Sequence, residues 1–162
     1  MDEHIERTFV ALKPDTVRRG ITGEIMTTFE EAGFKVIGMK MVWADEDLLQ
    51  EHYSEHVDKD FYERLEEYMK SGPVIAMVLE GVNAVKNVRK IVGETDPREA
   101  SPATIRGRFA HMSFAHADES GSLHKNIIHA SAELDEAEKE IDLWFDDEEV
   151  HSYEQAHEEE VR

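Results

Sequence analysis

His129 closes the short apolar run Asn126-Ile127-Ile128 and is followed by Ala130 and Ser131. A histidine at the end of a short buried strand has its ring held by packing while one edge faces a cleft. A neutral imidazole nitrogen held in that way can attack phosphorus and divide one group transfer into two easier ones. A satisfied structural histidine fits the same pattern, so the surrounding residue types have to carry the argument. Two residues nearby could orient the ring. Ser131 lies two positions on, and Glu140 falls on the next helical segment, where its carboxylate could accept the second ring N–H directly or through the serine. The bland alternative for Glu140 is a solvent-facing helix residue.

The chain is poor in cations, with 18 Lys and Arg against 37 Asp and Glu, so the place of each cation is informative. Lys13 ends the first apolar strand beside Pro14, Arg89 lies on the helix after the third strand, and Arg106 follows the turn-rich stretch TDPREASPATI. That stretch can bring backbone N–H groups and Thr95 toward an anion. Guanidinium forks grip phosphoryl oxygens, and lysine adds a compact charge. Each cation taken alone is an ordinary surface residue; together they suit a phosphate pocket if the fold makes them converge. Neither GxxxxGK[ST] nor GxGxxG occurs, which argues against a P-loop enzyme and a protein-kinase glycine loop. His52 and His56 stand four apart with Asp60 one turn on, but HYSEH is not HExxH and no third ligand is marked, so a wet acidic helix is expected rather than a protein-held metal.

These groups need a scaffold. Thr8–Lys13 reads as a buried strand stopped by Pro14, with a charged turn in DTVRRG. A helix is expected from about Ile21 to Ala32, with Ile25, Met26 and Phe29 on one face and Gly33 closing it. Phe34–Trp43 reads as a second strand, two short helices fit between Glu46 and Lys70, and Phe61, Leu65 and Met69 share a face of the later one. VIAMVLEG is a third strand after the break at 71–73, and Val82–Val92 a helix with Val85, Val88 and Val92 inward. NIIH is a late strand and Glu133–Phe145 a final amphipathic helix. The order predicts a split βαβ α/β fold with helices covering a mixed or antiparallel sheet. Residues 107–125 read as a long excursion near the site, and the acidic tail from about 146 as a solvated or mobile terminus.

Length and composition set outer bounds. The 162 residues suit one domain spanning 1–162, and no linker argues for two. No long apolar run and no basic-then-apolar leader is present, so a soluble, cytoplasmic protein is expected, with no membrane partner. The absence of cysteine excludes disulfides and thiolate chemistry. A net charge of -19 opposes association with nucleic acid or an anionic membrane. Such a surface suits a salt-rich cell interior that supplies counterions, with an ordinary acidic protein as the alternative.

Taken in order, several strings resemble the nucleoside diphosphate kinase family closely. They are KPDTVRRG (13–20), GEI (23–25), FEEAGFKVIGMK (29–40), HYSEH (52–56), FYERLEEYMKSGPVIAMVLEG (61–81), GETDPREASPATIRG (93–107), NIIHAS (126–131) and AEKEIDLWF (137–145). The similarity runs from the first strand almost to the end, and together with the acidity it suggests a halophilic archaeal member. The resemblance implies ping-pong transfer of the terminal phosphate from a nucleoside triphosphate to a nucleoside diphosphate, through phosphohistidine at His129. It implies that Lys13, Tyr53, Arg89, Thr95, Arg106 and Asn126 surround phosphates and sugar, that Phe61 stacks on the base with Leu65 beside it, and that Ser131 and Glu140 orient the histidine. Mg2+ would travel with the phosphates of ATP and the other nucleotides.

The resemblance further implies a ferredoxin-like subunit with a four-stranded antiparallel sheet, assembled as dimers that build hexamers, sometimes tetramers. The chain also departs from the family pattern. HASAE stands where HGSDS is common, placing Ala130 at a glycine position and Ala132 at a carboxylate position, and Arg108 stands at a usual aspartate. The 108–125 segment is longer than in most members, leaving Leu123 as the candidate to face Phe61 across the base. A nucleotide-sensing scaffold without turnover is the competing class; a DNA-binding role lacks a basic surface.

Overall fold

The computed structural model describes residues 2–162. Its centre is a four-stranded antiparallel sheet in the order β2-β3-β1-β4, formed by β1 (Ile5–Leu12), β2 (Lys35–Val42), β3 (Val74–Val82) and β4 (Ile128–Ala130). The α/β fold expected from the strand and helix order is therefore present, with the sheet antiparallel throughout.

Both faces of the sheet are covered, which explains why β1 lacks a clean apolar–polar alternation. Val10 and Leu12 pack on one side with α2 (Thr22–Glu31) and α5 (Ala84–Val92), through Ile25, Phe29, Val88 and Val92. Phe9 and Ala11 face the other side with α3 (Glu46–His52), α4 (Tyr62–Met69) and α8 (Leu134–Trp144), through Leu49, Met69 and Trp144. Residues opposed across an antiparallel ladder share a face, and Ala11 is opposite His129. The pairing therefore aims His129 toward α8, not toward α5.

Three expectations are corrected. DTVRRG is no turn: α1 (Pro14–Arg19) is a short helix, because Pro14 at its start needs no N–H partner there and Gly20 ends it at φ 68. The excursion contains two helices, α6 (Ile105–Phe109) and α7 (Phe114–Ser120), each started by a hydroxyl cap, from Thr104 to the Gly107 N–H and from Ser113 to the His116 N–H. The tail is docked. His151 N–H donates to the Ile37 carbonyl and Tyr153 Oη to the Val36 carbonyl, so the tail covers part of the β2 edge. It ends in α9 (Glu158–Val161), where buried Lys35 meets Glu158 at 2.9 Å and Glu80 at 3.5 Å, and Arg162 pairs with both carboxylates. The acidic sequence hid this because the tail's partners are on strands more than 70 residues away. Among the described residues, no helix is long and apolar enough to cross a membrane.

Candidate active site

Asn126–Ser131 forms the floor of the site. Ile127 adopts φ 77, a left-handed conformation unusual for a β-branched residue and worth about 1–3 kcal/mol of strain. Neighbours hold it there: the Ile127 carbonyl accepts from the Lys13 backbone N–H at 2.9 Å and from Thr16 Oγ1 at 2.7 Å. The twist sends Asn126 to one side of the strand start and lets Ile128 enter the ladder. Asn126 then joins two loops, accepting from Lys13 Nζ at 2.5 Å and donating to the Thr95 carbonyl at 2.9 Å.

The two arginines grip the same strand. Arg106 donates to the carbonyls of Asn126 (3.2 Å), Gly93 (3.1 Å) and Ile128 (2.6 Å), and Arg89 to that of Ala130 (3.2 Å). Carbonyls on either side of His129 are thus tied to guanidinium groups. Three of the five Arg106 N–H groups are used, leaving two for an anion. Burial and the neighbouring Arg89 weaken the proton's hold on Arg106, an arrangement that a phosphate would relieve. Lys13 is buried too; desolvation, then Arg106, lower its pKa to about 8, with Asp15 opposing. Asp15 itself is raised by burial and takes the hydroxyl of Tyr68.

His129 sits at the head of these cations with its side chain 19% exposed. Its Nε2 lies 2.6 Å from Glu140 Oε2, while Ser131 Oγ donates to Glu140 Oε1 at 2.6 Å. Serine and histidine therefore hold separate oxygens of one carboxylate, and the ring contact is direct. The angle at Nε2 falls short of a good hydrogen bond, leaving that atom buried without an aligned partner; such contacts tighten when substrate fills a site. With Nε2 turned to Glu140, Nδ1 is the nitrogen left free. Burial first, then Lys13, holds the imidazole well below its ordinary pKa of 6.5, with Glu136 opposing. Glu140 at 2.6 Å also opposes, but burial dominates and the ring is neutral near pH 7.

A cleft of about 280 Å3 leads away from His129, lined near the ring by Lys13, Tyr53, Thr95 and Asn126. It is also lined by Phe61, Leu65 and Leu123, and by Phe114 and His124, whose rings stack with centroids 4.0 Å apart. Lys13, Tyr53, Phe61, Leu65, Thr95, Asn126 and His129 line this cleft, while Arg89, Arg106, Ser131 and Glu140 are hydrogen-bonded around the strand that carries His129. Leu123 is among the residues that line the cleft. Ala130 has no positive φ, so an alanine fits without strain. Arg108 points away, pairing with Glu24 at 3.4 Å on the surface.

The expected wet helix at His52 is wrong. α3 ends at His52, so His56 is not its neighbour on a helix face, and the His52 side chain is only 2% exposed against Trp144, Glu140 and His129. Sequence reasoning missed it as a member of the site; its adjacency to Tyr53 was the available signal. His52, His129 and Glu140 offer ligand atoms within 4.8 Å of one another, but Trp144 and Ser131 already take two of the acceptors, which makes this a hydrogen-bonded cluster.

A half-buried histidine beside Lys13 and backed by a carboxylate is an arrangement suited to nucleophilic transfer of an anionic group. A sequence model of the family described as nucleoside diphosphate kinase matches residues 6–150. The chain is 49% identical to nucleoside diphosphate kinase A of Rattus norvegicus over 148 residues, 91% of each protein. It is 49% identical to the nucleoside diphosphate kinase of Halorubrum lacusprofundi over 155 residues, 94% of this chain and 91% of that one. Among solved structures, that of the halophilic enzyme from Halobacterium salinarum with CDP superposes with a TM-score of 0.88 at 43% identity, covering 98% of this chain and 99% of that one. The transition-state mimic of the Borrelia burgdorferi enzyme with vanadate and ADP gives 0.89 at 37% identity, covering 97% and 96%. The chain belongs to the nucleoside diphosphate kinase family. It is an enzyme of that phosphotransferase class.

Proposed function

We propose that this enzyme moves the terminal phosphate between nucleoside tri- and diphosphates in two half-reactions through phosphohistidine at His129. The observation that carries the reading is the 2.6 Å contact of His129 Nε2 with Glu140, which leaves Nδ1 as the free nitrogen of a neutral ring beside Lys13. The Nδ1 lone pair attacks the γ-phosphorus, and the bond to the bridging oxygen breaks with its electrons leaving on the β-phosphate. Nε2 keeps its proton, and Glu140 offsets the positive charge that the ring gains. A second nucleoside diphosphate reverses the step. Lys13, Arg89 and Arg106 neutralise charge on the moving group, Asn126, Thr95 and Tyr53 place phosphates and sugar, and Ser131 fixes Glu140. Phe61 and Leu65 take the base, with Leu123 opposite.

Among the described residues, the cleft lining has no carboxylate, which suits Mg2+ carried in by the nucleotide phosphates and not held by a protein cage. Bound there, the ion would neutralise phosphate charge and polarise the transferred group. One domain over 1–162, a cytoplasmic location and a salt-rich cell fit the acidic surface and the kinship with the Halorubrum and Halobacterium proteins. Exposed Met39 and Met41 on edge strand β2, with Trp43 just past its end, support assembly of copies, with dimers building a hexamer.

The test is incubation with ATP and Mg2+ without acceptor. One acid-labile phosphoryl group is expected on His129 with release of ADP, and a second nucleoside diphosphate discharges it. Phosphate mapped to another residue overturns the assignment.

A further inference from the structure

His52 is buried behind the reacting ring without a part in the steps above. Its ring centroid is 4.6 Å from that of His129, and Phe9 packs against His52, His129 and Trp144 at 6.0, 5.9 and 5.3 Å. Trp144 Nε1 donates to His52 Nδ1 at 3.1 Å. An indole nitrogen only donates, so Nδ1 must present its lone pair and the ring hydrogen sits on Nε2. Yet the same Nδ1 lies 3.3 Å from Glu140 Oε2, the oxygen that also faces His129 Nε2. Two histidines thus compete for one carboxylate oxygen, and Trp144 decides between them.

We propose that His52 is a positioning residue, held with Nδ1 unprotonated by the Trp144 indole N–H so that Glu140 is left to serve His129. The proposal rests on the phosphohistidine reading and adds what keeps its carboxylate available. Protonated at Nδ1, His52 would donate to Glu140, draw it from His129 and strand the indole N–H in a buried place. The groups facing His52 work in the same direction with one exception. Burial is the largest influence, and His129 from β4, Lys13 at the end of β1 and His56 just beyond its own helix all disfavour a charge there; Glu140 from α8 alone favours it. Adjacent Tyr53 meets the ring edge-on at 4.5 Å, its own hydroxyl kept neutral by burial. His52 accordingly stays neutral to about pH 3.

Three variants separate positioning from bulk packing. His52→Ala is expected to lower kcat about tenfold with KM for ATP within about twofold, since nucleotide contacts are untouched. His52→Asn, whose amide oxygen can replace Nδ1 as acceptor, is expected to recover most of that loss. Trp144→Phe keeps an aromatic ring and deletes the donor, so nitrogen-15 NMR of that variant at neutral pH should show the His52 hydrogen moved from Nε2 to Nδ1, with phosphoenzyme formation slowed. Equal losses in the Ala and Asn variants, or a His52 that keeps its hydrogen on Nε2 in folded Trp144→Phe, overturn the proposal. Nitrogen-15 NMR of the wild-type histidines at neutral pH is independent of any variant's folding. It should show His52 as the neutral tautomer with hydrogen on Nε2, and an Nδ1–H form or an imidazolium overturns the idea. Wild-type protein that forms no phosphohistidine defeats the underlying reading instead; normal phosphohistidine with the wrong His52 tautomer defeats this one alone.

Discussion

The two ends of the cleft are built on different principles. At the His129 end the polar side chains are held by fixed partners: Arg106 by three backbone carbonyls, Arg89 by one, Ser131 by the Phe9 carbonyl and the Glu140 carboxylate, Asn126 by the Thr95 carbonyl and the Lys13 ammonium. At the other end Phe61 is 40% exposed, and Leu65 and Leu123 offer apolar surface. Charge transfer demands donors already in place, because reorganising them during reaction raises the barrier. A flat apolar slot asks only for a π face, which every base has. Under the proposed function, the contrast would make one end exacting about phosphate and the other indifferent to the base.

The largest expected effect tests the rigid end. His129→Ala should lower exchange by roughly 10^4-fold or more and abolish the single-turnover burst, while nucleotide affinity by calorimetry stays within a few-fold. Retained exchange in a folded variant would remove His129 from the mechanism. Arg106→Ala should cost about 10^2–10^3-fold in kcat/KM. It should also lower Tm, since the side chain anchors the carbonyls of Asn126, Gly93 and Ile128. A loss in rate with unchanged Tm would mean that phosphate contact, and not strand anchoring, dominates.

The apolar end should respond differently. Phe61→Ala is expected to raise KM about tenfold for purine and pyrimidine nucleotides alike, with kcat within about threefold, as loss of one stacking face predicts. A change confined to one base would show edge recognition and break the comparison. The smallest effect is in pH. Lys13 has a pKa of about 8 in the free protein, below its ordinary 10.5, so its positive charge is present below pH 8 and lost above it. KM for nucleotide should therefore rise a few-fold between pH 7.5 and 9, and binding in that window should take up a proton, measured as a buffer-dependent heat. A flat KM across the window would place the lysine pKa higher.

Helix and strand types were legible wherever apolar spacing ran for a turn or more: Ile25 and Phe29 on α2, and Val85, Val88 and Val92 on α5, are all buried. DTVRRG and residues 114–120 escaped because both helices are set by end signals, Pro14 in one and a serine cap in the other, with too few residues for periodicity to speak. The tail was misread because acidic composition marks solvation only when no distant cation is waiting. Lys35, from β2, was waiting.

By itself the sequence determined the reacting residue types, their order along the chain, the acidic surface, and a family likeness strong enough to name the site residues one by one. Those features are local or compositional, so they survive without coordinates. Only the tertiary structure decided that Arg89 and Arg106 meet at β4, that Glu140 touches His129 directly while Ser131 takes its other oxygen, and that His52 turns inward to share that carboxylate. The reason is geometric: pairing Ala11 with His129 picks the face on which the ring emerges, and packing of α3 and α8 against that face picks its company. Sequence spacing cannot carry that information, because a one-residue slip in the pairing would turn the same histidine to the opposite side of the sheet.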